Sequence, residues 1–293
     1  MKKAFLQLHI AIFLAGFTGI LGRLITLQEG LLVWYRMLFS ALGLFILLQL
    51  TGKKTGRPGK GWSALAGVGA IIALHWVSFY GSIKYANVSI ALVCFSAVGF
   101  FTAILDPLLN RRHFQPIELL LGLMVMLGIY LIFHFEGAYK TGIILGVISA
   151  LLAALFTSLN KKLIQRFGTD TVTLYEMSGG WLVLSMLLPV YLNRFPADHL
   201  LPTWTDFFWL LFLSLVCTVL AFRLSLDALR SISPFTVNLS YNLEPVYGIL
   251  LAFAVYQENK YLGPGFYAGF AIIFMTVMLQ SWRVWKAGKT AIR

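Results

Sequence analysis

The chain carries little charge for its length. Only 12% of its 293 residues are charged, whereas a typical soluble domain has about 25%. Hydrophobic residues make up 59%, which leaves too few polar side chains to cover a water-soluble fold. The composition therefore excludes a soluble enzyme and a disordered chain, and it indicates a protein that lies mostly in membrane hydrocarbon.

Cysteine is scarce, and familiar catalytic motifs are missing. Cys94 and Cys217 lie in apolar runs, so we expect buried thiols rather than a disulfide. The sequence has no Walker loop, no H-E-x-x-H motif and no G-x-S-x-G elbow. We therefore expect a protein that is not an enzyme, holds no metal or cofactor, and uses no nucleotide as an energy source.

What the sequence does contain is a series of long apolar runs. A membrane helix needs about 20 apolar residues, and ten such runs are separated by glycine, proline and charge. Their hydropathy predicts membrane spans. The predicted spans are Ala4–Leu21, Leu31–Leu50, Trp62–Gly81, Asn87–Leu105, Pro116–Phe133, Gly142–Leu159, Thr171–Val190, Asp206–Leu226, Pro234–Tyr256 and Gly263–Ser281.

The distribution of the 23 Lys and Arg residues predicts the orientation. With the N-terminus inside, the cytoplasmic segments hold sixteen of them and the outer loops hold five, and two lie within spans. This split follows the positive-inside rule. It predicts a multi-pass protein of the cell membrane with both termini cytoplasmic, and it explains the net charge of +12 without a nucleic-acid partner.

The two halves of the chain resemble each other at a nearly constant offset. The matches are Phe17-Thr18 with Phe156-Thr157, Arg36-Met37 with Glu176-Met177, and Lys84 with Arg230. Five spans in each half is an odd number, so the second copy inserts upside down. We expect a 5+5 inverted-topology repeat with units at residues 1–138 and 139–293. Lys2 and Lys3 before an apolar run also fit a cleaved signal peptide, but the first span has a counterpart in the second half.

Two runs carry a resemblance to a known family. The runs Ile83–Leu105 and Ala228–Ala252, with Leu243-Glu244-Pro245 as their most specific piece, resemble the EamA-like members of the drug/metabolite transporter superfamily. The resemblance implies an all-α bundle of ten transmembrane helices that moves small metabolites such as amino acids, often outward. Family members usually carry an acidic residue after spans four and nine. Glu258 fills the second position, whereas Arg112 stands at the first.

The ninth span contains the strongest candidate for a substrate site. Glu244 lies near mid-depth, where ionisable residues are functional by default, and Pro245 frees the carbonyl of Tyr241. On a continuous helix, Ser240 and Glu244 would share one face. The alternative is hydrogen-bonding glue between helices. The predicted substrate-binding residues are Glu244, Tyr241, Asn242, Ser240, Asn238, His75 and Trp76.

Four further ionisable residues are candidates for gates. Arg36 and Glu176 are repeat mates, but inversion separates them by about 15 Å in depth, so each would serve a gate on its own side. Arg223 and Asp227 are spaced for an i, i+4 pair near the predicted inner end. The alternatives are that Arg36 snorkels to the outer headgroups and that the i, i+4 pair is static.

Small-residue motifs predict where helices approach closely. Gly142…Gly146 and Gly265…Gly269 have the G-x-x-x-G spacing, which serves packing inside the bundle or, for span ten, a dimer contact. A monomer and a homodimer both remain open.

The function that fits these observations is a carrier that exports a small metabolite by alternating access, with proton coupling through the intramembrane carboxylates. Two alternatives remain open. One is a flippase for lipid or lipid-linked sugar on the same scaffold, and the other is a membrane-embedded enzyme acting on lipid.

Overall fold

The fold is built from α-helices. The structure, a computed structural model, describes residues 2–53, 56, 58–241 and 243–290. The α-helices are α1 (Lys2–Leu24), α2 (Glu29–Leu50), α3 (Trp62–Tyr85), α4 (Val88–Phe95), α5 (Val98–Asn110), α6 (Pro116–Phe135), α7 (Lys140–Phe167), α8 (Thr169–Arg194), α9 (Trp204–Ser214), α10 (Ala221–Leu229), α11 (Pro234–Tyr241), α12 (Glu244–Tyr256) and α13 (Pro264–Thr290).

The helices have the length and polarity of membrane spans. In the described part of the chain, eight are long and apolar enough to cross a membrane, counting α4–α5 and α9–α10 as one span each, and two shorter apolar helices cover Glu244–Tyr256 and Pro264–Leu279. Large apolar side chains such as Leu50, Met186 and Trp204 are exposed on the outside of the bundle, where lipid would cover them. The prediction of an all-α membrane protein is confirmed, while the ten-span topology and the cytoplasmic termini stay predictions.

Two of the predicted spans are broken near their middles. The span predicted as continuous over Asn87–Leu105 is interrupted by a turn between Phe95 and Val98. The ninth span, also predicted as continuous, is interrupted by a turn at Leu243, immediately before α12 and two residues before Pro245. The two breaks are about 146 positions apart, the same offset that relates Lys84 to Arg230.

The ends of these broken spans also correspond. Arg111 ends α5 and Gln257 ends α12, and they are the two non-glycine residues with positive φ in the described chain, at 52° and 54°. At the other ends, Asn87 caps α4 through the amide of Ile90, and Ser233 accepts a bond from the amide of Thr236 in α11. Each pair lies 146 positions apart, so the repeat extends to the local geometry of the helix ends.

The halves interlock instead of forming separate bodies. Helix α3 packs along α7 and α8, α1 along α10 and α12, α4 along α12, α5 along α11, and α6 along α13. All of these contacts join the first half of the sequence to the second. The predicted boundary at residues 138–139 therefore separates two sequence repeats but not two structural domains, because both halves share one buried core.

Glycines allow the closest of these approaches. A Cβ at Gly142 in α7 would lie 3.0 Å from the carbonyl of Ser82 in α3, and one at Gly269 in α13 would meet the carbonyl of Gly128 in α6. Both G-x-x-x-G motifs thus pack within the chain, the first of the two predicted uses.

Candidate substrate-binding site

A central cavity of about 100 Å³ lies between the two halves of the chain. Both halves contribute to its wall, through α1–α4 from the first and α7, α10, α11 and α12 from the second, together with the turn between α9 and α10. Its apolar wall is mainly aromatic, formed by Trp76, Phe79, Phe95, Phe156 and Phe222. Cavities of this kind, apolar with a few converging polar groups, are the usual form of small-molecule sites.

Arg36 supplies the positive charge of this cavity. Its guanidinium carbon lies 3.7 Å from the centre of the Trp76 ring. Its Nη1 donates to the hydroxyl of Tyr80 at 2.7 Å, and its Nε donates to Oγ1 of Thr218 at 2.8 Å. Only 3% of Arg36 is exposed, so the alternative that it snorkels to the headgroups is wrong. Helix α2 begins at Glu29, two residues before the predicted span, which sets Arg36 deeper than expected.

A π-helical turn positions Thr218 to accept a hydrogen bond from Arg36. Residues Leu215–Leu220 form this turn between α9 and α10, and it places Thr218 and Cys217 in the cavity wall. Thr218 donates its own hydroxyl to the carbonyl of Leu213, so its oxygen is oriented to accept from Arg36. Such π-turns recur at functional sites. Thr218 was not predicted as a site residue, because no sequence signal in this apolar run indicates a π-turn.

Glu244 supplies the carboxyl group of the cavity. It stands in the first turn of α12, 4% exposed, and is close enough to Arg36 for electrostatic interaction. Among the described residues, its carboxyl has no hydrogen-bond or salt-bridge partner. Tyr241 lies beside it in the wall, together with Ser225 of α10. The two sides of the helix break thus present a phenol and a free carboxyl to the same space.

His75 lies in the wall under the aromatic rings. Its Nδ1 is 2.9 Å from both the carbonyl and the hydroxyl oxygen of Ser149, and its ring packs against Phe95 and Phe156. Ser149 is fully buried in α7, so the histidine joins α3 to α7 as well as lining the cavity. This geometry is compatible with the predicted role of His75 in the substrate site and equally with a role in packing α3 against α7.

The cavity wall repeats the internal symmetry of the chain. Thr18 and Thr157, the matched pair of the sequence repeat, both line it. So do four pairs of residues separated by 146 positions, which are His75 with Ala221, Trp76 with Phe222, Phe79 with Ser225, and Phe95 with Tyr241. Equivalent positions of the two halves therefore enclose one space.

Three of the predicted substrate-binding residues are not found in the cavity wall, one because it lies elsewhere and two because they are not described by the structure. Ser240 donates its hydroxyl to the carbonyl of Thr236 and is not part of the cavity wall. The i, i+4 argument fails for it because the helix breaks before Glu244. Asn242 and the side chain of Asn238 lie outside the described residues.

The predicted pair of Arg223 and Asp227 is not what the structure contains. Arg223 forms its salt bridge with Asp170 in the first turn of α8, and Asp227 accepts a hydrogen bond from Thr169 at 2.6 Å. Gly168, at φ 79°, lets α7 turn directly into α8 and brings these residues beside α10. Both contacts therefore join α10 to the start of α8.

Glu176 lies outside the cavity and has no contact with Arg223 in the described chain. It is fully buried in α8, where Asn160 of α7 donates to its Oε2 at 3.2 Å. Its repeat mate Arg36 lines the cavity, so these two members of the sequence repeat have different surroundings.

Known proteins share both the sequence pattern and the fold. The EamA-like transporter family model matches residues 2–134 and again residues 140–283. No curated protein sequence matches the chain. Twenty-four chains of solved structures match it, and one of them, described as "Crystal structure of protein", has a TM-score of 0.67 at 15% identity over 94% of this chain and 95% of its own. That likeness concerns the fold alone.

The match to the family model covers nearly the whole chain in two copies. Of the most specific piece of the resemblance, Glu244 lines the cavity, and Leu243 and Pro245 lie at the helix break beside it. The protein is a multi-pass membrane transporter, because the chain belongs to the EamA-like transporter family.

Proposed function

We propose that this protein exports a small metabolite with both an anionic and a cationic group, an amino acid or similar compound, across the cell membrane by alternating access. The observation that carries the proposal is the presence of Arg36 and Glu244, two groups of opposite charge, in the wall of one cavity. A carboxylate of the substrate would approach the guanidinium, and its ammonium group would approach Glu244.

The aromatic wall and the size of the cavity support the same substrate class. Aromatic rings suit the apolar part of such a molecule. The volume of about 100 Å³ is below the roughly 300–1,000 Å³ of sites for drug-sized ligands. This argues against a lipid-linked sugar as the substrate and supports a small one.

Polar contacts lie at both predicted ends of the bundle, between the two halves at the outer end and within the second half at the inner end. At the predicted outer end, Glu258 accepts bonds from the amides of Val88 and Ser89 and from the Ser89 hydroxyl, and pairs with Arg23 at 2.6 Å. We take this cluster as the outer gate. At the predicted inner end, the candidate gate joins Arg223 and Asp227 of α10 to α8.

The test is transport by purified protein in lipid vesicles, with a panel of labelled amino acids and related metabolites. Replacing Glu244 by Gln removes the charge but keeps the shape. Loss of one charged contact, about 1.5–3 kcal/mol, corresponds to an apparent affinity roughly ten- to a hundredfold weaker for zwitterionic substrates.

The matched control is Glu136→Gln, since Oε1 of Glu136 accepts one bond from the amide of Gly263 outside the cavity. This variant is expected to transport like the wild type. Unchanged transport by Glu244→Gln would remove Glu244 from the site, and movement of labelled phospholipid in place of metabolites would favour the flippase.

A further inference from the structure

A second buried carboxyl group lies away from the cavity and is incompletely bonded. Glu176 of α8 and Asn160 of α7 are both 0% exposed. The amide Nδ2 of Asn160 donates to Oε2 of Glu176. The other two oxygens of this pair, Oε1 of Glu176 and Oδ1 of Asn160, have no hydrogen-bond partner in the part of the chain that the structure describes.

Counting donors and acceptors shows what is missing. An ionised carboxylate only accepts hydrogen bonds, and so does the amide oxygen, so these two oxygens cannot satisfy each other. An unsatisfied buried group costs about 1–3 kcal/mol, and an isolated buried charge costs more. One proton on Oε1 of Glu176 removes the charge and supplies a donor for Oδ1 of Asn160. A hard metal cation would need about six oxygen ligands, and this pair offers three, one of which already accepts a hydrogen bond.

Charged groups on the helices around α8 do not neutralise Glu176, because their contacts lie elsewhere. Those contacts are Glu29 with Tyr191, Arg36 with Tyr80 and Thr218, His75 with Ser149, Lys84 with the Ile25 carbonyl, Lys140 with Phe133, Lys161 with the Leu229 carbonyl, Lys162 with the Leu109 carbonyl, Arg166 with Phe167, Arg223 with Asp170, and Asp227 with Thr169. No charged partner of Glu176 is present among the described residues.

The position of the pair connects it to the substrate cavity. The backbone of α8 at Glu176 touches α3 at Gly69, where a Cβ would meet the Glu176 carbonyl. Six and seven residues further along α3 are His75 and Trp76 of the cavity wall, about 9–10 Å away along the helix. Separation of α7 from α8, which would admit water to Glu176, would therefore also move the wall of the cavity.

We propose that Glu176 and Asn160 form a proton-binding site separate from the substrate cavity, and that its proton is the coupling ion of transport. Glu176 takes up one proton as a neutral carboxylic acid, bonded to Asn160 in a ring of two hydrogen bonds, and releases it when water reaches the pair. The coupling part rests on the transport function proposed above, whereas the binding part does not.

Infrared spectroscopy tests the binding part without any substrate. The purified wild-type protein at neutral pH is expected to show a protonated carboxylic-acid band that Glu176→Gln lacks and that Glu244→Gln, which removes the buried carboxyl of the cavity, retains. Glutamine donates and accepts at the same positions, so this variant mimics the protonated pair and should fold. Asn160→Leu is expected to shift the band, because the acid loses its hydrogen-bond partner.

Glu258→Gln is the matched control, since four donors surround that carboxylate, and its spectrum should keep the band. ¹³C labelling of glutamate in the wild-type protein should move the band and needs no variant. A spectrum of Glu176→Gln with the band intact, or a wild-type spectrum without it, would overturn the proposal.

Transport in vesicles tests the coupling part. With a mixture of labelled zwitterionic amino acids, wild-type protein is expected to concentrate label when a pH gradient is imposed, and Glu176→Gln is expected to equilibrate it without concentrating it. A sodium gradient should have no effect in either. Accumulation by the variant equal to wild type would overturn the coupling role, whereas absence of transport by the wild type would overturn the proposed function and leave the infrared result intact.

Discussion

Arg36 shows how one residue obtains a role that depends on its neighbours. A charge near the bilayer centre costs about 2.5–3.5 kcal/mol on insertion scales. Stacking on Trp76 and hydrogen bonds to Tyr80 and Thr218 offset part of that cost. These contacts fix the plane of the guanidinium and leave it facing the cavity.

We expect Arg36→Lys to bind substrate more weakly despite its retained charge. An ammonium group cannot reproduce the planar fork or the stacking on Trp76, and loss of one charge-assisted bond, about 1.5–3 kcal/mol, predicts roughly tenfold or greater loss of affinity. A transport assay with reconstituted protein measures the apparent substrate affinity of each variant. Arg23→Lys, which changes the exposed cation at the outer end, is the control, and equal affinities for both variants would contradict the role of Arg36.

The sequence revealed the residues of the site unevenly. Glu244, His75 and Trp76 could be found because an ionisable or polar group in an apolar run is conspicuous. Thr218 and Ser225 could not, since hydroxyl residues are common in membrane helices and only the folded chain shows which of them face the cavity. Arg36 was conspicuous, but its depth depends on where α2 begins.

At the scale of the helices, α3 and α8 pack so closely that their contact can be tested by single substitutions. A Cβ at Gly69 would clash with the carbonyl oxygen of Glu176, and one at Gly180 would clash with the carbonyl oxygen of Gly69. These atoms are backbone, so they cannot move aside as a side chain would. The contact therefore requires glycine in both helices.

We expect Gly69→Ala to destabilise the protein by about 1–3 kcal/mol, the usual cost of overpacking. Thermal unfolding in detergent measures this. The matched control is Gly67→Ala, two residues away on the same helix, where a Cβ meets nothing within 4 Å and helix propensity favours alanine by up to about 1 kcal/mol. Equal melting temperatures for the two variants would contradict the packing of α3 on α8.

The broken helices supply the second test at this scale. Glu258 follows α12 and binds the start of α4, so its carboxylate holds the two broken spans together at the predicted outer end. At the equivalent inner position, Arg112 pairs instead with Asp106 and Glu118. The departure from the family pattern thus makes the two ends chemically unlike.

We expect Glu258→Gln to open the outer end more often, because a neutral amide loses the ion pair with Arg23 and accepts the amide bonds less strongly. Cys217 in the cavity wall reports this opening, since a membrane-impermeant maleimide added outside should label it faster. Glu136→Gln, at the same end but outside the α4–α12 contact, should label like wild type. Equal rates in all three proteins would exclude Glu258 as a gate.

At the scale of the whole molecule, the repeat explains why the cavity lies between the two halves of the chain. Positions related by the repeat line it from both halves, and the halves pack through one another. Two similar units that can exchange conformations would open the same space to each side in turn. The topology that this requires can be measured directly.

We expect reporter fusions in the loops at residues 51–61, 135–141 and 191–205 to read inside, outside and outside, because positive charge concentrates on the predicted cytoplasmic side. Alkaline phosphatase and a fluorescent protein, active on opposite sides, give independent readings. An inside reading at 191–205 would contradict the ten-span topology, since an odd number of spans would then separate it from the loop at 135–141.

The sequence by itself determined the class of the protein, the approximate spans and the doubling of the chain, because hydropathy and charge distribution act locally and leave a pattern in the order of residues. Only the tertiary structure decided which polar residues share a space. Four features depend on contacts between distant segments, which hydropathy does not encode. They are the turn between α4 and α5, the π-turn at Thr218, the pairing of Arg223 with Asp170, and the burial of Glu176 beside Asn160.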